Sequence, residues 1–268
     1  MATRKSQRTF PNWLWLPASL LAAILAWELL VRVAGLPAFI LPGPGAVWSR
    51  LVSAVSDGSL LRHLLVTLQE VALGLASGVL AAAALGYLLA HSPRWERALA
   101  PYVVASQSVP VVALAPLLVI WFGPGLLSKT LICALIVFFP VLINTIVGLH
   151  GVSTDLRDLM RSLGAGRWQT FRLLELPAAL PVFLGGLRIG ATLSVIGAVV
   201  GELVGADRGL GFLINVGRGQ YDTALVFVAV FALVGMALLL YGLVILMERR
   251  WLWWQRRQNS QPVFTGEE

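Results

Sequence analysis

The sequence predicts an all-α, polytopic membrane protein with six transmembrane helices. Three observations carry this: 58% of the 268 residues are hydrophobic, only 12% are charged, and the apolar residues gather into six long runs. Mean hydropathy is +0.82, whereas about a quarter of the residues of a soluble domain are charged. The single-residue alternation of a membrane barrel is absent, and a helix satisfies its backbone groups within its own segment.

In chain order the runs lie near Leu14–Leu30, Leu64–Ala90, Leu99–Trp121, Leu131–Leu149, Val182–Leu203 and Ala224–Met247. Each approaches or exceeds the ~20 residues that a helix needs to cross hydrocarbon. The first stands where a signal peptide would, but it lacks a small-residue cleavage site before Glu28 and its length suits a span. The runs divide the chain into an N-terminal tail over 1–12, a membrane domain over 13–250 and a C-terminal tail over 251–268.

The net charge of +7 would suit a nucleic-acid partner, but basic residues beside membrane spans record orientation instead. Arg4, Lys5 and Arg8, then Arg94 and Arg97, then Arg157, Arg161, Arg167 and Arg172, and finally Arg249, Arg250, Arg256 and Arg257 occupy four segments that six spans place on one side. The other side has Arg50, Arg62, Lys129, Arg208 and Arg218, partly offset by Asp57, Asp207 and Asp222. Both termini are therefore expected in the cytoplasm. Trp13, Trp15, Trp251, Trp253 and Trp254 fit an aromatic belt at the membrane surface, in contact with lipid.

Between the fourth and fifth runs, about residues 151–181, lies a connection far longer than a simple turn requires. Asp155–Leu163 suits a short helix that Gly164 can end, and a second short helix is expected from about Arg167 to Leu176 before Pro177. Leu156, Leu159, Met160 and Leu163 share one side of the first piece, with Arg157, Asp158 and Arg161 towards the other. The result is a helical elbow on the cytoplasmic face. From periodicity alone, an interfacial helix resting on anionic lipid accounts for it equally well.

Polar residues inside the spans are costly and face a partner or a cavity. Gln107 and Ser108 beside Pro110, Asn144 and Thr145 after Pro140, and Thr192 and Ser194 in the fifth run are candidates for lining a pathway; hydrogen bonding between packed helices is the alternative. Glu28 and Arg32 have the spacing of a pair on one helix face. Arg188 and Glu202 bracket the fifth run, separated by about 21 Å of helix, too far for a direct pair. Arg188 is expected to snorkel towards the cytoplasm, and Glu202 either caps the pathway or holds the glycine-rich loop that follows.

Enzyme readings find little support. His63, His91 and His150 fall in separate segments, the one cysteine, Cys133, has no activating base nearby, and Ser108 and Ser194 lack a nucleophile elbow. There is no phosphate-binding G-x-x-x-x-G-K-[ST] loop. An ion-coupled secondary transporter would also be a helical bundle, but it would place titratable groups deep in the membrane, where amides and hydroxyls predominate here.

"DLMRSLGAGRWQTFRLLELP" resembles the cytoplasmic loop of bacterial ATP-binding-cassette importer permeases, with Asp158, Gly164, Leu174, Leu176 and Pro177 at the recurring positions. Leu159 and Met160 stand where that pattern has alanines, and Asp158 where it has glutamate. "ILPGPGAVW", "VPVVALAPLLVIWFGPGLLSK", "FFPVLINT" and "GELVGADRGLGFLI" are similar to the nitrate, sulfonate and taurine branch, with a further likeness to permeases for riboflavin or the pyrimidine precursor of thiamine. The resemblance implies a type I importer permease in a bacterial inner membrane, working as a homodimer. It further implies a cytoplasmic ATPase subunit that holds ATP and Mg, an external substrate-binding protein, no cofactor on this chain, and a coupling surface at Asp158, Gly164, Ala165, Arg167, Trp168, Leu174, Leu176 and Pro177.

Overall fold

The computed structural model describes residues 15–253. Arg4, Lys5, Arg8, Trp13, Trp254, Arg256 and Arg257, with the tail 1–12 and most of the tail 251–268, lie outside the described residues. In chain order the helices are α1 Trp15–Ala34, α2 Pro44–Ser56, α3 Ser59–Ala90, α4 Pro93–Gln107, α5 Val111–Phe122, α6 Leu126–His150, α7 Thr154–Ser162, α8 Arg167–Thr170, α9 Leu176–Gly205, α10 Leu210–Gly219 and α11 Thr223–Trp251. A π-helical turn, Phe171–Glu175, joins α8 to α9. Among the described residues there is no strand.

α1, α3, α6, α11 and the α8–α9 path are long and apolar enough to cross a bilayer, and α4 with α5 forms a sixth, broken span. The third run, Leu99–Trp121, is therefore not one straight helix: α4 and α5 meet at 93°. Pro110 explains the break, because it has no N–H to donate and its ring turns the preceding Val109 away from helical geometry. Two short helices outside the predicted runs, α2 and α10, lie at the far end of the bundle, opposite the elbow.

The core is a three-helix stack of α3, α6 and α9, with α3 parallel to α6 and α9 antiparallel to both. Lipid exerts no hydrophobic force between helices, so they associate through close packing, which small residues permit. Gly74, Gly78, Ala82 and Gly86 recur every fourth residue along α3. A Cβ at Gly78 would fall 2.7 Å from the Ala134 carbonyl of α6, and one at Gly86 would fall 2.8 Å from Thr145. On α9 the same holds at Gly186, 2.6 Å from Asn144, and at Gly197, 2.8 Å from Cys133 Cα. Around this stack, α11 packs on α9 and α10, and Trp27 of α1 stacks on Phe227 of α11 at 5.3 Å. None of the apolar stretch of α1 is buried.

Candidate functional site

The elbow is built from local signals. The Ser153 hydroxyl accepts from the Asp155 N–H at 3.2 Å and caps α7. At the other end Gly164 has φ +72°, the Gly164 N–H donates to Arg161 O and the Ala165 N–H donates to Met160 O, both at 3.0 Å. This pair of bonds is a Schellman turn, and its left-handed residue favours glycine. The Gly166 N–H then donates to Gln169 Oε1 at 2.8 Å as α8 begins.

The second piece does not stop before Pro177. The Leu176 N–H donates to Phe171 O, five residues back, and this widened turn carries α8 directly into α9. Proline has no N–H to place in the ladder, and a π-turn at its approach accommodates the ring. Leu174, Leu176 and Pro177 thus form the base of a spanning helix and not a separate arm.

Leu156, Leu159 and Leu163 are exposed along one side of α7, and Trp168 is 68% exposed at the start of α8. Asp158 and Arg161 pair at 3.0 Å on the surface. Leu159, one of the two bulky residues at the alanine positions, points its side chain outwards, while Met160 is half-buried. Tyr87, Arg167, Trp168 and Phe171 line a cleft of about 380 Å³ beside them. Ala165 is half-buried between the two pieces. Arg157, expected outside with Asp158 and Arg161, is turned inwards: Nη2 donates to Leu149 O at 2.8 Å, and Nε lies 3.4 Å from Glu175.

The pathway candidates separate into two groups. Gln107, Ser108 and Pro110 are exposed at the α4–α5 break, and Asn144 and Thr192 are half-buried. Thr145, Ser194 and Glu202 are enclosed within the chain and present no open surface. The Thr145 hydroxyl donates to Val141 O and that of Ser194 to Ala191 O, both at 2.7 Å, so each satisfies its polar group within its own helix. Thr192 does the same towards Ile189 O at 2.9 Å, and Asn144 Nδ2 donates to Pro140 O at 2.8 Å.

Residues 74–253, which hold α6, α9 and the latter half of α3 with the broken span and the elbow, match the family described as the binding-protein-dependent transport system inner membrane component. The chain belongs to that family. It is 47% identical over 242 residues to the riboflavin transport system permease protein RibX of Chloroflexus aurantiacus, covering 90% of each chain. It is 37% identical over 238 residues to the formylaminopyrimidine transport permease protein ThiX of Halalkalibacterium halodurans, covering 89% of this chain and 94% of the relative. The taurine permease TauC of Escherichia coli is 33% identical over 243 residues, with 88% of each covered. Among solved structures, an inward-facing form of the MetNI methionine transporter aligns with a TM-score of 0.62 at 22% identity, over 73% of this chain and 97% of that one. This likeness establishes the importer-permease fold.

The permease has a second polar cluster, sealed at its far end. The Glu202 carboxylate, fully buried on α9, accepts from the Thr67 hydroxyl at 2.6 Å and from the Gly211 N–H at 2.5 Å. Thr67 Oγ1 in turn accepts from the Leu210 N–H at 2.8 Å, and His63 Nδ1 accepts from the Gly209 N–H at 3.0 Å. Gly209 has φ +114°, and any Cβ there would collide with the Glu202 carboxylate. Glu202 therefore holds the glycine-rich loop and the start of α10. Beside it Glu70 of α3 pairs with Lys129 of α6 at 3.2 Å, both buried. Lys129, counted among the surface charges of the sequence, is a core residue.

Glu70 and Glu175 escaped sequence reasoning because their partners lie on other elements, Lys129 for Glu70 and His91 and Arg157 for Glu175. The available signal was an isolated acid within or beside an apolar run, for which a buried cation must be found. Arg188 does not simply reach for solvent: it pairs with Glu248 of α11 and lies over the Tyr241 ring at 5.6 Å. Glu28 and Arg32 form the pair their spacing predicts, at 2.6 Å.

Proposed function

We propose that this permease carries a heteroaromatic nutrient of the riboflavin or pyrimidine class into the cytoplasm, as a homodimer fed by an external binding protein and driven by a cytoplasmic ATPase. The observation that carries the ATPase contact is the elbow, whose Leu156, Leu159, Leu163 and Trp168 stay largely exposed among the described residues. Together with Asp158, Gly164, Ala165 and Arg167 they offer an apolar ridge edged by charge, which suits insertion into a groove of a partner protein. In this reading the elbow end and both termini are cytoplasmic, as the arginine distribution requires, and ATP and Mg reside on the partner subunit. The exposed Gln107, Ser108 and Pro110 at the α4–α5 break, with the half-buried Asn144 of α6 and Thr192 of α9, line the route between the two copies. A broken helix leaves backbone groups available to a solute, as in other transporters.

The substrate class rests on relatedness: identity is 47% with the riboflavin permease and 37% with the formylaminopyrimidine permease, against 33% with the taurine permease. The test is uptake into proteoliposomes holding the permease with its neighbouring ATPase and binding protein. Riboflavin or a formylaminopyrimidine is expected to accumulate with ATP and not without it. Accumulation of taurine or an alkanesulfonate instead would reassign the substrate, and accumulation driven by an ion gradient without the ATPase would make the protein a secondary transporter. Gly164→Pro, which removes the Schellman turn, is expected to abolish co-purification of the ATPase while leaving membrane insertion intact.

A further inference from the structure

Directly behind the elbow a single carboxylate collects the ends of several helices. Glu175, the last residue of the π-turn, is only 4% exposed. His91 Nε2 donates to its two oxygens at 3.0 and 3.1 Å, and His91 is the residue that closes α3. From the other side Arg157 of α7 lies 3.4 Å from Glu175 Oε1 while its Nη2 holds Leu149 O, next to the last residue of α6. One side chain thus ties α3, α6 and α7 to the root of α9.

An aromatic line runs parallel to these ionic contacts. Trp168, exposed on the elbow, packs against Phe171 at 5.6 Å; Phe171 meets the Tyr87 ring edge-on at 5.2 Å; and Tyr87 lies 4.2 Å from the His91 ring. The line begins on the open surface and ends at the partner of Glu175. Separately, His150, the last residue of α6, lies 3.5 Å from Glu96 of α4. A displacement of α7 and α8 cannot be absorbed by a slack loop, because the charged junction and the aromatic line both connect it to the spanning helices. Packed, hydrogen-bonded contacts of this kind transmit a shift as a rigid movement.

We propose that Glu175 is a positioning residue for transport, converting movement of the docked elbow into movement of α3, α6 and α9 through His91 and Arg157. This rests on the elbow being the ATPase contact but differs from it in residue and in consequence: Glu175 faces inwards, so it carries force and does not bind the ATPase. Its removal should uncouple the machine without dismantling it.

The experiment compares Glu175→Gln, Glu175→Asp, His91→Gln and Arg157→Lys in the complete transporter in proteoliposomes, measuring ATPase co-purification, ATP hydrolysis and substrate moved per ATP. Glu175→Gln is expected to keep the ATPase bound and hydrolysing while substrate moved per ATP falls about fivefold or more, the lower end of ordinary coupling between sites. Glu175→Asp should recover part of the loss, because the charge remains. Arg157→Lys should fall between, since lysine lacks the fork that reaches both Glu175 and Leu149 O. An unchanged transport ratio in Glu175→Gln would overturn the proposal, as would loss of the bound ATPase in that variant, which would make Glu175 part of the docking surface. If Glu175→Gln does not accumulate in the membrane, His91→Gln decides on the same ratio, and an unchanged value there overturns the proposal too. An elbow with no ATPase contact would be recognised separately, by Gly164→Pro and Trp168→Ala complexes that stay assembled.

Discussion

The two ends of the bundle bury their carboxylates in opposite ways. At the far end Glu70, Lys129, Thr67 and Glu202 are all at most 3% exposed, with Lys129 held by Glu70 and Glu202 held by Thr67 and Gly211. At the elbow end Glu175 is equally buried, but the His91 and Arg157 side chains that hold it are 37% and 25% exposed, and the elbow beyond them is open. The far cluster is a knot. The elbow junction is a joint, open to the surface on one side. Burial of charge alone therefore does not tell the two ends apart; what lies beyond the charge does.

The largest effect that would test this contrast is expected at the knot. Glu202→Ala leaves the Gly211 N–H without its acceptor and the Thr67 hydroxyl with only the His63 carbonyl at 3.2 Å, a loss of about 3–5 kcal/mol once the cavity left by the side chain is added. The expected result is a collapse of folded protein extracted in detergent, and a variant with ordinary thermal unfolding would break the comparison at its stable end. Next comes the helix stack around it: Gly74→Leu forces α3 away from Cys133 and is expected to cost about 1–3 kcal/mol, read as a lowered unfolding temperature. At the joint the effect moves from stability to association. Trp168→Ala should leave unfolding unchanged while weakening ATPase binding by about 1 kcal/mol or more, as an exposed aromatic anchor does when truncated; equal losses of both would erase the distinction between knot and joint. The smallest change is expected for Arg161→Ala, whose exposed pair with Asp158 is worth up to about 1 kcal/mol for folding. An unfolding temperature within error of the parent would sharpen the view that this pair serves the partner and not the fold.

Much of the fold was legible because its signals are local. A run of ~20 apolar residues is a span wherever it stands, and the runs ending at Ala90, Leu149 and Leu203 match α3, α6 and α9 closely. Gly164 predicted the end of α7 because a left-handed residue is needed there and glycine supplies it. The same locality explains the misreadings. Pro110 sat inside a long enough run, and hydropathy does not register that the chain turns through 93°. α2 and α10 were passed over because helices of 13 and 10 residues are too short to span.

The candidate site divides along the same line. Periodicity found the exposed Leu156, Leu159 and Leu163, but it put Arg157 outside with Asp158 and Arg161, where the contact with Glu175 and Leu149 O turns it inwards. Thr145, Ser194 and Glu202 were placed on a pathway by their chemistry, yet each is enclosed, because rotation about the helix axis decides which face a polar residue takes. Periodicity and composition determined by themselves that this chain spans a membrane as helices and carries a glycine-turned elbow. Only the tertiary structure decided that Glu202 closes a buried knot while Glu175 gathers other helices beside the elbow, since a carboxylate meets donors on other elements only after the helices have chosen which faces touch.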